Sequence, residues 1–189
     1  MNKSIETKKY IIDSANELFY INGYNCTGFG AIEEKTGLSR GNITYHFKNK
    51  KNIIQEIVNL RLERINKTFH ECDKNSKNSK ESIVKLCKKI LENSNDLLKY
   101  GCPMGSIVSE SAKNNKNIHK ITIVMFEAFI NWLEKKFIEM GTNKSQANIK
   151  AKRLLAQIQG VIMVAHTLDD SYFLKKEFKR LIKEFSIVE

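Results

Sequence analysis

The 189-residue chain has a single proline, Pro103, and only nine glycines. That scarcity argues against a loop-rich fold and suits an all-helical one, because proline and glycine are the usual punctuation of turns. No apolar run reaches the ~18–20 residues needed to cross a bilayer. The opening MNKSIETKKYIIDSA lacks a long apolar stretch ahead of a small-residue cleavage site, so a secretory leader is not expected. The four cysteines, Cys26, Cys72, Cys87 and Cys102, lie far apart without a Cys-x-x-Cys pair, which points to neither a zinc knuckle nor a disulfide framework. A reducing cytoplasm is the expected location.

Catalytic patterns are equally scarce. The histidines, His46, His70, His119 and His166, are too scattered for a His-x-x-x-His metal site. No Glu-x-x-His pair is present to build a di-iron bundle. There is no glycine-rich phosphate loop and no Gly-x-Ser-x-Gly elbow. The expectation is a protein that is not an enzyme and uses no metal or cofactor.

What is abundant is positive charge and helical periodicity. The formal net charge is +11, which favours a polyanionic partner, nucleic acid or an anionic membrane surface. The surplus is diffuse: seven basic against five acidic residues in 1–50, eleven against seven in 51–100, fourteen against nine in the remainder. Charge alone therefore does not locate a binding face. Asp170–Glu189, with lysines on one face and phenylalanines on the other, fits a membrane surface or a helix bundle, and the bundle is the preferred reading.

Apolar spacing predicts a first helix over about Lys3–Asn22, stopped by Gly23. A short helix with Phe29 and Ile32 inward follows, with Thr27 at the N-cap position. Thr36-Gly37-Leu38 breaks it, and Ser39 caps a second short helix through Phe47. A long helix begins near Lys50. The polar segment 73–82 reads as a connection. Five further helical patterns fall at about Ser82–Lys99, Pro103–Ala112, Asn117–Met140, Ser145–Leu168 and Ser171–Phe185, with a domain break near Lys50.

Two short helices around a glycine turn match a helix-turn-helix. In SRGNITYHF, Ile43 and Phe47 are four apart and form the inward stripe with Leu38. At ~100° per residue, Gly41, Asn42 and Tyr45 point away from it, with Thr44 on the flank. Arg40 is suited to a bidentate contact with guanine and Asn42 with adenine. Tyr45, His46 and Lys50 suit contacts that fix register on phosphates, Thr27 offers a hydroxyl to another, and Ser39 at the cap and Thr44, able to donate to a phosphate, complete the DNA-binding candidates. Two short helices and a glycine turn also occur in helical proteins without any role in DNA binding.

The stretch LFYINGYNCTGFGAIEEKTGLSRGNITYHFKNKKNI resembles the N-terminal signature of the TetR/AcrR family of bacterial transcriptional regulators. Leu18, Phe19, Gly23, Tyr24, Thr27, Ile32, Gly37, Ser39, Gly41, Phe47 and Lys50 fall in its pattern, over about residues 7–55. Two positions depart from it: Thr44 stands where the family commonly has tyrosine, and Glu33 where it commonly has alanine. Glu33 is expected to face solvent away from DNA.

The resemblance implies a helix-turn-helix DNA-binding domain at 1–50 and a helical effector-binding and dimerisation domain at 51–189. It further implies a cytoplasmic homodimer joined through its last two helices. Leu154, Leu155, Ile158, Val161, Ile162 and Ala165, with Phe178, Leu181, Ile182 and Phe185, are candidates for that face or for the subunit's own core. The implied function is a ligand-responsive repressor that leaves a palindromic duplex operator when a small molecule binds.

Candidates for the effector pocket are Cys102, Met104, Phe126, Phe129, Trp132, Met163 and His166, although such residues at helical spacing are more often core. Cys102, next to Pro103 at a helix start, also raises the alternative of oxidant or electrophile sensing by a thiolate. Similar Gly-Cys-Pro segments occur at this point in one branch of the family.

Overall fold

The computed structural model describes residues 3–186, apart from the side chain of Asn114. Among the described residues there are eleven α-helices and no strand. They are α1 (Lys3–Ile21), α2 (Phe29–Thr36), α3 (Arg40–His46), α4 (Lys50–Lys74), α5 (Ser79–Glu92), α6 (Ser94–Tyr100), α7 (Pro103–Asn114), α8 (Lys116–Thr122), α9 (Val124–Glu139), α10 (Lys144–Leu168) and α11 (Ser171–Ser186).

The sequence periodicity places the helices well and their joints less well. The expected helix over Ser82–Lys99 is two, α5 and α6. At Asn93 the backbone N–H is shared between the Ile90 and Leu91 carbonyls, which tightens the turn and restarts the helix. The pattern over Asn117–Met140 is likewise α8 and α9, parted at Ile123, whose backbone stays right-handed helical. The connection expected at 73–82 shrinks to four residues. Asn78 caps α5 by accepting the Glu81 N–H at 2.9 Å, and the Glu81 carboxylate accepts the Lys77 N–H at 2.8 Å. This reciprocal pair is close to a capping box.

The chain forms two compact units. One takes residues up to Leu62 together with Pro103–Val124, and the other takes Glu63–Cys102 and the chain from Met125 onward. This differs from a division at residue 50, because α7 and α8 return to the first unit.

Two polar anchors account for that return. Arg61, buried on α4, donates to the Asn16 side chain from Nε and to the Pro103 carbonyl from Nη1. Glu110 on α7 accepts the Asn25 N–H at 2.9 Å. Buried charges persist when their hydrogen bonds are satisfied in this way.

In the first unit Ile11, Ala15, Phe19, Ile32, Ile43, Ile53, Ile54 and Ile57 are fully buried. They knit α1, α2, α3 and the first half of α4 around one core.

In the second unit α11 packs against α5, α6 and α10. Leu154, Leu155, Ile158, Val161, Ile162 and Ala165 of α10, with Phe178 and Leu181 of α11, are buried within the subunit. Ile182 and Phe185 are half-buried. The eight buried side chains fill the subunit's own interior, while Ile182 and Phe185 keep part of their surface in solvent. The large apolar side chains that α10 and α11 leave in solvent are Ile149, Met163, Val164, Leu168 and Tyr172.

Candidate nucleic-acid interface and effector region

Helix α3 starts and stops on local signals. Ser39 is extended, and its Oγ accepts the Asn42 N–H at 3.3 Å. Phe47 ends the helix and is buried beside Ile43 as the inward stripe. Gly37, at φ +68°, closes α2 with its N–H on the Glu33 carbonyl. A left-handed residue there costs glycine nothing and would strain most others.

Ser39, Arg40, Gly41, Asn42 and Tyr45 are exposed, Tyr45 at 80%, and His46 is half-buried against the Tyr45 ring. These six candidates lie along one short helix and its cap. A Cβ built on Gly41 would meet no atom within 4 Å.

Three other candidates are committed inside the protein. Thr27 is fully buried, and its hydroxyl donates to the Gly23 carbonyl at 2.8 Å, with the Leu18 carbonyl at 3.2 Å. The N-cap of α2 is Gly28, not Thr27. The register places Thr27 one residue too early, so it tightens the α1–α2 turn and offers no hydroxyl to a phosphate.

Lys50 also turns inward, donating to the Tyr24 carbonyl at 2.7 Å and the Thr27 carbonyl at 3.2 Å. Its Nζ sits 4.1 Å from the Tyr24 ring centre. Burial lowers the Lys50 pKa, and the Glu110 carboxylate opposes that shift. Lys50 is a clamp on the turn rather than a free phosphate ligand. Thr44 directs its hydroxyl to the Arg40 carbonyl of its own helix at 2.9 Å, so its proton is already engaged.

Glu33 corrects another expectation. It does not simply face solvent away from the reading helix: its Oε2 lies 3.6 Å from Nη1 of Arg40. The Arg40 guanidinium carbon also lies 4.2 Å from the centre of the Phe29 ring.

Sequence reasoning missed Glu110, which grips the same turn as Lys50. A Cβ on Gly23, at φ +82°, would come within 2.7 Å of Glu110 Oε1. No local signal could have found a partner separated by 85 residues.

The candidate effector residues fall in both units, Met104 in the first and Cys102, Phe126, Phe129, Trp132, Met163 and His166 in the second. In the second unit, Phe129 and Trp132 are buried against Phe69, edge-on at 4.9 Å and stacked at 4.7 Å respectively. Trp132 donates from Nε1 to Asp73 at 3.1 Å. Beside it Lys136, only 5% exposed, pairs with Asp73 at 3.0 Å and with Glu139 at 2.7 Å. Burial opposes the Lys136 charge, but the two carboxylates outweigh it and its pKa is raised. The Asp73 pKa falls despite burial because Lys136 and Trp132 donate to it, and Glu139 is lowered by its bonds from Lys136 and Ser79.

Phe126 is half-buried. Met163 is 65% exposed, and His166 is exposed with Nδ1 2.7 Å from the Leu98 carbonyl. Both lie off the buried stripe of α10, since residue 163 is turned ~100° from Ile162 and residue 166 as far from Ala165. Neither lines an interior cavity of the subunit.

Cys102 is half-buried immediately ahead of α7, and Met104 is buried in the first unit. Cys72 and Cys87 are interior thiols, with burial pushing Cys87 up to about 12. A surface cleft of 520 Å³ in the second unit, with Phe137, Leu154, Lys150 and Arg153 in its lining, involves none of the nominated residues.

Comparison with known proteins decides the family. Residues 11–57 match the model for bacterial regulatory proteins of the tetR family. Residues 79–178 match the C-terminal domain of LmrA/YxaF-like transcriptional regulators. The chain belongs to the TetR family. It is a DNA-binding transcriptional regulator and not an enzyme.

The HTH-type regulator LmrA of Bacillus subtilis is 24% identical over 170 residues, covering 88% of this chain and 89% of that protein. QacR of Staphylococcus aureus is 47% identical over 53 residues, 28% of each chain. A TetR regulator of Legionella pneumophila superposes with a TM-score of 0.82 at 23% identity, covering 97% of both chains, a likeness of fold. No helix among the described residues is long and apolar enough to cross a membrane.

Proposed function

We propose that this TetR-family protein is a repressor that binds a palindromic operator as a homodimer and leaves it when a small molecule binds the second unit. The exposed side of α3 is the part that enters the major groove, with Arg40 and Asn42 directed at bases and Tyr45 and His46 at the backbone.

The observation that carries this reading is Gly41. Glycine inside a helix costs about 1 kcal/mol relative to alanine. Nothing in the subunit requires it, because a Cβ there would stand in open space. Gly28, Gly30 and Gly160 are as open, so Gly41 counts here because it stands among the exposed Ser39, Arg40, Asn42 and Tyr45, on a face where a duplex would use the missing Cβ for close approach.

Homodimerisation finds support in the apolar side chains that α10 leaves in solvent. Ile149, Met163, Val164 and Leu168 recur along the helix, with Gly160 between them on the same side. An isologous pairing of such faces gives a twofold molecule and hence a palindromic site.

Effector control would run through α4. Its first turn carries Lys50, which clamps the α1–α2 turn, and its last turn carries Asp73, which holds Trp132 and Lys136. An effector that favours one arrangement of α4 by ~1–3 kcal/mol would change operator affinity roughly 5–150-fold.

The test is Gly41→Ala in the full-length protein. Thermal unfolding should show a gain of up to about 1 kcal/mol, while affinity for duplex DNA falls in gel-shift titrations. Stabilisation with undiminished DNA binding would refute the assignment of this face.

A further inference from the structure

Phe29 and Glu33 are four residues apart on α2, so their side chains share one face of that helix. Arg40, the first residue of α3, reaches back onto that face. Its guanidinium lies 4.2 Å over the Phe29 ring, and its Nη1 is 3.6 Å from Glu33 Oε2. The ring covers one side of the guanidinium, and the carboxylate stands beside Nη1. Arginine carries five N–H donors in a rigid fork. A partner at one edge leaves the remaining donors for other acceptors and restricts where they point.

An arginine at a duplex has competing acceptors. Phosphates draw it regardless of sequence, whereas a guanine edge draws it only at the right base pair. The Arg40 side chain is 56% exposed and the Glu33 side chain 31%, so the pair is open to a duplex. A carboxylate beside the fork repels phosphate from that spot and biases where the fork points. A neutral side chain of the same shape would do neither.

We propose that Phe29 and Glu33 cradle Arg40 for a base edge, making Glu33 a positioning residue that raises sequence selectivity and lowers general DNA affinity. The inference rests on the reading of α3 given above and adds a specificity determinant on α2. A surface ion pair at this exposure contributes little to folding. A purely structural role would therefore leave sequence preference untouched.

The experiment uses full-length wild type, Glu33→Gln, Arg40→Ala and the double variant, with thermal melts to confirm folding. Arg40→Lys, which keeps the charge and loses the fork, replaces Arg40→Ala if that variant does not fold. Each protein selects from a pool of randomised duplexes, and affinities are then measured for the wild-type-selected duplex and for random-sequence duplex.

Glu33→Gln should tighten random-duplex binding about threefold through the added net positive charge. It should lower the selected-to-random affinity ratio by about tenfold, the scale of one lost bidentate base contact. The base position it relaxes should be the one relaxed by Arg40→Ala, and in the Arg40→Ala background Glu33→Gln should leave the ratio unchanged. If Arg40→Ala relaxes a base position and Glu33→Gln does not, the cradle is overturned while the α3 reading stands. If Arg40→Ala relaxes nothing, the base contact fails and the cradle fails with it.

Discussion

Of the seven residues in α3 only Ile43 is buried, whereas the twenty-five residues of α10 bury a stripe from Ala147 to Ala165. Helix α3 is held by its cap, Ser39, and by two side chains, Ile43 and Phe47, and leaves the rest of its surface polar. Helix α10 is held along its whole length by packing. The buried stripe of α10 says little about outside partners, which only its exposed apolar side chains address. An element kept bare and polar over most of its surface says a good deal. The aromatic and ionic cluster around Trp132 belongs to the first kind despite its mixture of residues.

The sharpest way to break this contrast is at the cluster. Phe69→Ala removes a ring stacked on Trp132 and edge-on to Phe129. The expected loss is about 3–4 kcal/mol of stability, the usual cost of emptying a buried aromatic site. Denaturant titration reads the loss. The base preference of the folded fraction should be unchanged, and a changed preference would show that the interior shapes the reading face.

Lys136→Met should cost less, about 2 kcal/mol, because Asp73 and Glu139 are partly exposed and water recovers some of the lost pairing. The pH dependence has a defined sign. Asp73 and Glu139 have depressed pKa values, so their contribution is present above the ordinary carboxylate range and is lost as pH falls through the depressed values. Lys136 has a raised pKa, so its contribution is complete below the ordinary lysine value and is lost as pH rises through the raised one. The stability difference between wild type and Lys136→Met should therefore be flat from about pH 5 to 10 and shrink outside that window. A difference that vanished at neutral pH would remove the ion pairs from the account. The stability effect of Gly41→Ala, up to about 1 kcal/mol and opposite in sign, is the smallest of the three.

Helix periodicity was readable wherever an apolar stripe met a local stop, as at Gly23 and Gly37. It failed at Asn93 and Ile123, where a helix ends and restarts within a residue or two and the stripe passes on almost unbroken. The α5 cap was readable in principle from Asn78 and Glu81, but the low-complexity run around it reads as loop.

In the candidate interface, exposure followed the helical wheel for Gly41, Asn42 and Tyr45. It did not follow for Thr27 and Lys50, whose polar groups serve carbonyls of the α1–α2 turn. A hydroxyl or ammonium facing a backbone carbonyl carries the same letter as one facing a phosphate. The long-range partners, Glu110 on the turn and Asp73 on Trp132, have no local signature, and effector chemistry is written in apolar side chains that core packing also demands.

The central claim is that the bare side of α3 reads duplex DNA, twice per functional molecule. Selection by the full-length protein from a pool of randomised duplexes at moderate ionic strength tests it directly, with the stoichiometry of the selected complex measured alongside. The account predicts an inverted repeat whose enriched bases are lost on Asn42→Ala, bound by an even number of subunits. Recovery of no sequence preferred over random competitor, or of a single unpaired half-site, would contradict it.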